Sequence, residues 1–300
     1  MRRGAVAVLV FAAMLAGCSG PRSRPSHASA DQRGRVGTLP AQDEGGVQDD
    51  LSRPQSSRYR DGRDSVPGPF DVSKLAEPVP RAEPRSRYGN KSPYTVRGRT
   101  YRVLPTARGY DERGIASFYG NKFHGYKTSN LETYDMYAFT AASPTLPLPS
   151  YARVTNLDNG RSVIVRVNDR GPFHDNRLID LSYAAAVKIG IWPRGTGLVE
   201  VRGIDPAHPA AELPPPAAVS GRHPGIYLQV GAFADAANAD RLARRLRAAD
   251  VGAVQVTDSV VRGQHLRRVR VGPLDSVERA DQVSRRIEGM GLPQPQVAVD

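Results

Sequence analysis

The sequence has one cysteine and one tryptophan in 300 residues. A single cysteine excludes an intrachain disulfide and any zinc or iron–sulfur site built from several thiolates. The histidines are scattered without metal-ligand spacing, and no glycine-rich phosphate-binding loop is present. We therefore expect no metal ion and no cofactor. Acidic residues are also too few to balance the basic ones, and the formal net charge is +12. Such a surplus suits nucleic acid, anionic lipid or an acidic glycan as partner.

The N-terminus decides between these partners. Met1-Arg2-Arg3 precedes an apolar run at Ala5–Leu15 that is too short to span a bilayer and is typical of a secretory signal. Leu15-Ala16-Gly17-Cys18 resembles the lipobox of bacterial lipoproteins, which implies cleavage after residue 17 and acylation of Cys18. An ordinary signal with an incidental cysteine is the alternative. Ser19 after the cysteine resembles sorting to the outer membrane, with the inner membrane left open. A periplasmic protein is therefore expected, which excludes nucleic acid.

Composition divides the rest of the chain. Residues 19–90 are rich in Ser, Pro, Arg and Asp, which predicts a solvated tether, with docking expected only near Phe70–Leu75. Residues 205–224 are proline-rich and predict a second, stiffer spacer. The predicted divisions are a signal peptide (1–17), a lipid-anchored disordered linker (18–90), a first folded domain (91–204), a proline-rich linker (205–224) and a second folded domain (225–300).

The two folded parts have different patterns. Residues 91–204 contain many short strands, an Asn159-Gly160 hairpin signal and one small helix between Ser182 and Gly190, which predict a closed β-barrel. Residues 225–300 follow the order β-α-β-β-α-β, with Asp235 and Asp275 at the helix starts. This order predicts a small ferredoxin-like sheet with two helices on one face.

A positioned carboxylate follows one barrel strand. The alternating run Ser162–Val167 leads directly into Asn168-Asp169-Arg170-Gly171-Pro172. A strand end is a rigid support for a reacting group, so Asp169 is the candidate acid. A turn aspartate that caps its own backbone is the alternative. Arg166 and Arg170 beside it would favour its ionised form.

Six motifs in order carry a family resemblance. They are Gly114-Ile-Ala-Ser-Phe-Tyr-Gly120, Lys122-Phe-His-Gly125, Thr140-Ala-Ala142, Thr145-Leu-Pro-Leu-Pro-Ser150, Val165-Arg-Val-Asn-Asp-Arg-Gly-Pro-Phe173 and Ile179-Asp-Leu-Ser182. Residues 88–204 resemble the rare lipoprotein A family, which implies a double-psi β-barrel. The tail, with Gln229-Val-Gly-Ala-Phe233 and Val269-Arg-Val-Gly-Pro273, resembles a sporulation-related repeat (SPOR) domain. That module implies binding to septal peptidoglycan strands without stem peptides.

The resemblance implies a lytic transglycosylase that cleaves the β-1,4 bond between N-acetylmuramic acid and N-acetylglucosamine and forms a 1,6-anhydro end. Asp169 is then the expected general acid/base, supported by Glu132 and Asp135, although a solvent-exposed loop also explains the latter two. Asp180 is expected to be structural. The substrate-binding candidates are Arg166, Arg170, His124 and Ser143 in the barrel and Gln229 and Arg270 in the tail. For His124 and the two tail residues, structural roles remain open.

Three departures from the family pattern leave a second hypothesis. Ser143 stands where many members have His, Leu131 where Gly is usual, and Phe118 where Trp is usual. The alternative is a non-catalytic peptidoglycan-binding lipoprotein at the septum that recruits division-site proteins. The tail's strand order also occurs in RNA-recognition modules, but it lacks their aromatic-rich strand motifs.

Overall fold

The computed structural model describes residues 49–174, 176–207, 224–261 and 263–300. The predicted signal peptide and the predicted acylation site Cys18 lie outside the described residues, as does most of the proline-rich spacer. Within the described part of the chain, no helix is long and apolar enough to cross a membrane. In the same residues, no group of three or more His, Cys, Asp or Glu side chains is arranged to hold a metal ion.

Residues 49–90, which we call the strap, contact the barrel, whereas composition predicts a solvated tether here. The strap contains one short helix, α1 (Gln55–Arg58). Asp64 accepts hydrogen bonds from the main-chain N–H groups of Gly120 (2.8 Å) and Lys122 (3.1 Å). Glu77 accepts one from Ile164 (2.9 Å). Main-chain donors that the barrel does not pair thus find partners in the strap, and this is why a polar segment can lie along it.

Apolar residues of the strap also dock, as expected near Phe70–Leu75. Phe70, Val72 and Leu75 pack against the buried barrel core. The ring of Phe70 lies 4.8 Å from that of Tyr137, centroid to centroid. The strap is therefore held by apolar contacts as well as by its carboxylates.

A hairpin and six barrel strands follow. The hairpin consists of β1 (Tyr94–Val96) and β2 (Arg99–Tyr101), and a 3₁₀ turn spans Asn121–Phe123. The barrel strands are β3 (Asp111–Tyr119), β4 (Thr140–Ala142), β5 (Ser150–Asn156), β6 (Ser162–Asp169), β7 (Ile179–Ser182) and β8 (Thr196–Ile204). They close in the order β3-β7-β4-β6-β5-β8, with β3/β7 and β4/β6 parallel. The closed six-stranded barrel confirms the predicted double-psi class.

The alternation in β6 places its residues. Val163, Val165 and Val167 are buried in the barrel core, so Arg166 lies on the opposite face of the strand. The small helix α2 (Tyr183–Ile189) is capped by Ser182, whose Oγ accepts from the Ala185 N–H, and ends at Gly190 with φ 76°. Both ends of this helix are as predicted.

The tail forms the predicted ferredoxin-like unit. Its elements are β9 (Ile226–Phe233), α3 (Ala236–Ala248), β10 (Val254–Val261), β11 (Gln264–Leu274), α4 (Val277–Gly289) and β12 (Gln296–Val299). The strand order is β10-β11-β9-β12, and all neighbours are antiparallel. Asp235 caps α3 as predicted, whereas α4 is capped by Ser276 and not by Asp275.

Candidate active site

Asp169 is the last residue of β6, and its carboxyl group is held from one side. The N–H of Ser129 (2.8 Å), the Oγ of Ser129 (2.6 Å) and the N–H of Arg170 (2.7 Å) all donate to Asp169 Oδ1. No hydrogen bond from the described residues reaches Oδ2. One oxygen is therefore fixed by the protein, and the other has no hydrogen-bond partner among the described residues. The bond from the Arg170 N–H is the local backbone capping that the alternative interpretation of Asp169 predicted. The carboxyl is therefore both capped by its own turn and held in position by Ser129.

Burial raises the pKa of the Asp169 carboxyl above its usual range, against the hydrogen bonds from Ser129 and Arg170, which lower it. The Arg170 guanidinium does not neutralise it by direct contact. Arg170 Nε donates to Gly89 O (2.7 Å), and Nη1 donates to Ser143 O (2.9 Å) and Leu146 O (2.6 Å). Nη2 also donates to Asn90 Oδ1 (3.2 Å), so four hydrogen bonds hold this side chain against the backbone and side chains around the site. The expected substrate contact of Arg170 stays a prediction.

A second, partly buried acid, Asp180, lies across one strand from Asp169. Ala142 of β4 pairs with Asp169 of β6 and with Asp180 of β7. Adjacent strands are about 4.8 Å apart, so the two acid backbones lie roughly 10 Å apart. Ser117 Oγ donates to Asp180 Oδ1, and burial raises the pKa of this carboxyl too. Asp180 was expected to be structural, and its Oδ1 accepts a hydrogen bond from the Ser117 side chain on the neighbouring strand β3.

The pKa of Glu132 is shifted in the opposite direction. Asn130 Nδ2 donates to its Oε1 (2.9 Å), and Asn168 Nδ2 (2.9 Å) and Arg166 Nη1 donate to its Oε2. Burial alone would raise the pKa of Glu132, but the bonds from Arg166 and Asn168 outweigh it and lower the pKa. The site therefore combines one carboxyl whose pKa is lowered, Glu132, with two whose pKa values are raised, Asp169 and Asp180. Neighbouring carboxyls with pKa values shifted in opposite directions suit the separate roles of acid and charge-stabilising group.

Asp135 and His124 form a more exposed pair. Asp135 Oδ1 accepts from the Tyr137 N–H (2.9 Å) and lies 3.7 Å from His124 Nδ1. The Met136 N–H donates to the same His124 nitrogen (3.2 Å), so Nε2 carries the proton of a neutral ring. Both side chains are about half exposed, and no hydrogen bond or ion pair in the described residues joins Asp135 to Asp169. The pair is open to solvent and makes no direct contact with Asp169 within the described residues.

Ser143 is buried, with 1% of its surface exposed. Its Oγ accepts from the N–H groups of Thr145 (3.3 Å) and Leu146 (3.1 Å). The predicted substrate contact at this position has no support, because the hydroxyl is engaged in a backbone turn.

The other two departures also have structural consequences. Leu131 adopts a left-handed backbone with φ 69°, which a glycine would adopt without strain. Phe118 packs on the barrel core and lies 6.3 Å from the Tyr183 ring. Leu131 thus strains the loop that carries Glu132, while Phe118 is a packing residue.

In the tail, Gln229 and Arg270 are directly paired across β9 and β11, and Gln296 of β12 pairs with Gln229 on the other side. Neighbouring Leu228 and Val269 are buried, so these polar residues lie on the opposite sheet face. Arg270 Nη1 donates to Asp300 Oδ2 (2.6 Å). The structure thus brings the two tail candidates together on one strand pair.

Sequence reasoning missed several contributors to the site. Ser129 and Asn130 precede Glu132 in a loop, and Asn168 precedes Asp169, so their nearness to the candidate acids was the available signal. Glu83 binds Arg166 from within the strap. Nothing in the composition of that segment indicated a functional residue.

Two family models match the chain. The model described as lytic transglycolase matches residues 111–202, and the one described as SPOR domain matches residues 223–297. The first range contains Asp169, Asp180 and Glu132, and the second contains the tail sheet except the last two residues of β12.

Curated relatives are similar to this chain over much of its length. An endolytic peptidoglycan transglycosylase RlpA of Pseudomonas aeruginosa is 42% identical over 303 residues, covering 81% of this chain and 85% of the relative. The protein of that name from Vibrio cholerae is 52% identical over 158 residues, covering 52% of this chain and 60% of the relative. A solved structure of the RlpA SPOR domain from Pseudomonas aeruginosa is 35% identical and covers 25% of this chain and 97% of its own, with a TM-score of 0.24. With the barrel, its acids and the tail sheet in place, the chain belongs to the RlpA family of endolytic peptidoglycan transglycosylases.

Proposed function

We propose that the barrel cleaves the β-1,4 bond between N-acetylmuramic acid and N-acetylglucosamine and leaves a 1,6-anhydro end. The observation that carries this proposal is the Asp169 carboxyl. Its Oδ1 is held by three donors, its Oδ2 has no partner among the described residues, and burial raises its pKa. A general acid needs a proton at working pH and a free oxygen to deliver it.

The reaction follows from that geometry in two proton transfers. Asp169 protonates the leaving glycosidic oxygen as the bond from the anomeric carbon breaks. The substrate's own 6-hydroxyl then forms the new bond to that carbon and returns its proton to Asp169. No water is consumed, so the carboxylate spacings of hydrolases do not apply.

Glu132 stabilises the transition state in this proposal. The anomeric carbon becomes positively charged as the bond breaks, and an ionised carboxylate nearby opposes that charge. Hydrogen bonds from Asn130, Asn168 and Arg166 keep Glu132 ionised and fixed. Asp135 and His124 are assigned to substrate contact at the rim.

We assign the tail to glycan strands that lack stem peptides and to enrichment at the division septum. The match to the SPOR family supports this, together with the polar face that carries Gln229 and Arg270. A fluorescent fusion lacking residues 225–300 is expected to spread over the cell periphery. Septal enrichment of that truncated fusion would contradict the assignment.

We also propose that the protein is periplasmic and lipid-anchored at Cys18, in the outer membrane, with residues 91–204 and 225–300 as its two functional units. The lipobox-like Leu15-Ala16-Gly17-Cys18 followed by Ser19 supports this. Cells fed a labelled fatty acid should label the wild-type protein but not a Cys18→Ala variant. Equal labelling of both would contradict the anchor.

The activity is tested by incubating the full chain with peptide-free glycan strands and, in parallel, with intact peptidoglycan. Mass spectrometry is expected to show internal cuts with anhydro ends, mainly in the peptide-free strands. Reducing ends in place of anhydro ends would contradict the mechanism. Binding without any cut would favour the alternative, a wall-binding lipoprotein without catalysis.

A further inference from the structure

Arg166 is shared between two carboxylates that come from different parts of the chain. Its Nη1 donates to Glu132 Oε2, in the proposed catalytic loop. Its Nε and Nη2 donate to the two oxygens of Glu83, each at 2.9 Å, and Glu83 lies in the strap. The guanidinium thus makes a bidentate bond to Glu83 on one side and donates a single N–H to Glu132 on the other.

From this arrangement we propose that Glu83 is a positioning residue for the transglycosylase reaction, acting through Arg166 on Glu132. The inference rests on the proposed role of Glu132. Glu83 lies outside residues 111–202, the range that matches the lytic transglycolase family model. The active site is then completed by a segment whose composition is that of a linker.

The geometry separates Glu83 from the other acids of the strap. Asp64 and Glu77 accept hydrogen bonds from main-chain N–H groups of the barrel, which fasten the strap. Glu83 instead accepts from the Arg166 side chain and from the Tyr151 hydroxyl. Glu77 and Glu83 both dock on β6, yet within the described residues only Glu83 is connected to Glu132 through a shared cation.

Charge gives the reason for a second carboxylate. Arg166 alone would neutralise Glu132 and cancel the negative potential that opposes the developing charge on the sugar. With Glu83 ionised, the group of two carboxylates and one guanidinium keeps a net negative charge. The pKa of Glu83 is lowered to about 2, chiefly by the bonds from Arg166, so it is ionised throughout the neutral range. The two-point bond also stops Arg166 from rotating to bind Glu132 with both of its terminal nitrogens.

Glu83→Gln in the full chain tests the proposal, with Glu77→Gln as the matched control that removes a charge from the same segment over the same strand. Glu83→Gln is expected to lower kcat about tenfold with KM within about twofold, because ground-state contacts are untouched. The acid limb of its kcat profile is expected to move to lower pH, since Glu132 loses a repelling neighbour and is ionised more easily. Glu77→Gln should keep the wild-type kcat and profile. Glu83→Asp, which keeps the charge, should leave the limb in place and lose less in kcat.

Coupling gives an independent readout. If Glu83 acts through Arg166, then Glu83→Gln has little further effect on kcat in an Arg166→Gln background. Additive losses would overturn the proposal. A wild-type pH profile for Glu83→Gln would also overturn it. So would equal losses of kcat in Glu83→Gln and Glu77→Gln with the acid limb unmoved, because that result would mean that Glu83 only docks the strap. If Arg166→Gln does not fold, as judged by its Tm, the comparison of Glu83→Gln with Glu77→Gln decides.

The same assay separates this inference from the proposed function. An active Glu132→Gln variant would contradict the role of Glu132, and the inference about Glu83 would fall with it. An inactive Glu132→Gln beside a fully active Glu83→Gln would overturn the positioning role alone.

Discussion

Ser129→Ala is expected to move the basic limb of the pH–rate profile to higher pH. Ser129 Oγ donates to Asp169 Oδ1 at 2.6 Å, a charge-assisted bond when the carboxyl is ionised. Losing it destabilises the ionised form more than the neutral form and so raises the pKa of Asp169 further. Because the proposed general acid must be protonated, the descending limb follows that pKa upward.

The size of the shift follows from the difference between two hydrogen bonds. A bond to a charged group contributes about 1.5–3 kcal/mol, and one to a neutral group about 0.5–1.5 kcal/mol. The difference of roughly 1–1.5 kcal/mol corresponds to about one pH unit. The N–H groups of Ser129 and Arg170 still donate to Oδ1 in the variant, so the carboxyl keeps its orientation.

The assay is kcat/KM against pH for release of anhydro-ended fragments by the full chain. Ser117→Ala is the matched control, because Ser117 Oγ donates to Asp180 and not to Asp169. We expect Ser129→Ala to shift the basic limb and Ser117→Ala to leave it in place. A shift in Ser117→Ala alone would assign the acid to Asp180, and no shift in Ser129→Ala would refute the reasoning.

Three further predictions concern stability, measured as the free energy of unfolding or as Tm. Leu131→Gly is expected to leave the free energy of unfolding nearly unchanged, because relief of about 1 kcal/mol of left-handed backbone strain is offset by a similar gain in unfolded-chain entropy. Leu131→Val should cost about 1–2 kcal/mol, and equal stabilities of the two variants would contradict the strain. Asp180→Asn should raise Tm near pH 7 but not near pH 3. A carboxyl whose folded-state pKa is raised destabilises the fold when it is ionised, and the amide removes that cost only at a pH where the carboxyl would be ionised. A lower Tm at both pH values would count against this. Arg170→Lys should cost about 3 kcal/mol, since the ammonium cannot reach the carbonyls of Gly89, Ser143 and Leu146 together, and a cost below about 1 kcal/mol would show that those bonds are unimportant.

Periodic segments were predictable because burial imposes their pattern. The alternation in β9 and the helical stripes of α3 and α4 led to the correct tail fold. The hairpin at Asn159-Gly160 is also present, but its turn is wider than the two-residue type. Gly160 has φ 70° whereas Asn159 does not have a positive φ, and the Asn159 amide donates to Ile189 O (3.0 Å). A tertiary contact thus decided the turn, and local preference could not foresee it.

Only those parts of the site whose residues are close together in the sequence could be predicted. Asp169 stands at a strand end, and its position followed from the run before it. Asp180 joins it through Ala142, a pairing that depends on the barrel closing. Glu83 reaches Arg166 across 83 positions, and polar composition correctly excludes a core there but cannot exclude specific docking. Burial of Ser143 was equally hidden, because the family position suggested substrate contact and only the fold shows that the hydroxyl is enclosed.

The most direct test of the account is the rate of strand cleavage by Asp169→Asn. An amide can accept from Ser129 and Arg170 but cannot deliver a proton to the leaving oxygen, so the fold should persist while cleavage falls by at least about a hundredfold. Circular dichroism should match the wild type, Tm should not fall, and binding to peptide-free strands should remain. Cleavage at the wild-type rate by a folded Asp169→Asn protein would contradict the central claim that this carboxyl is the acid.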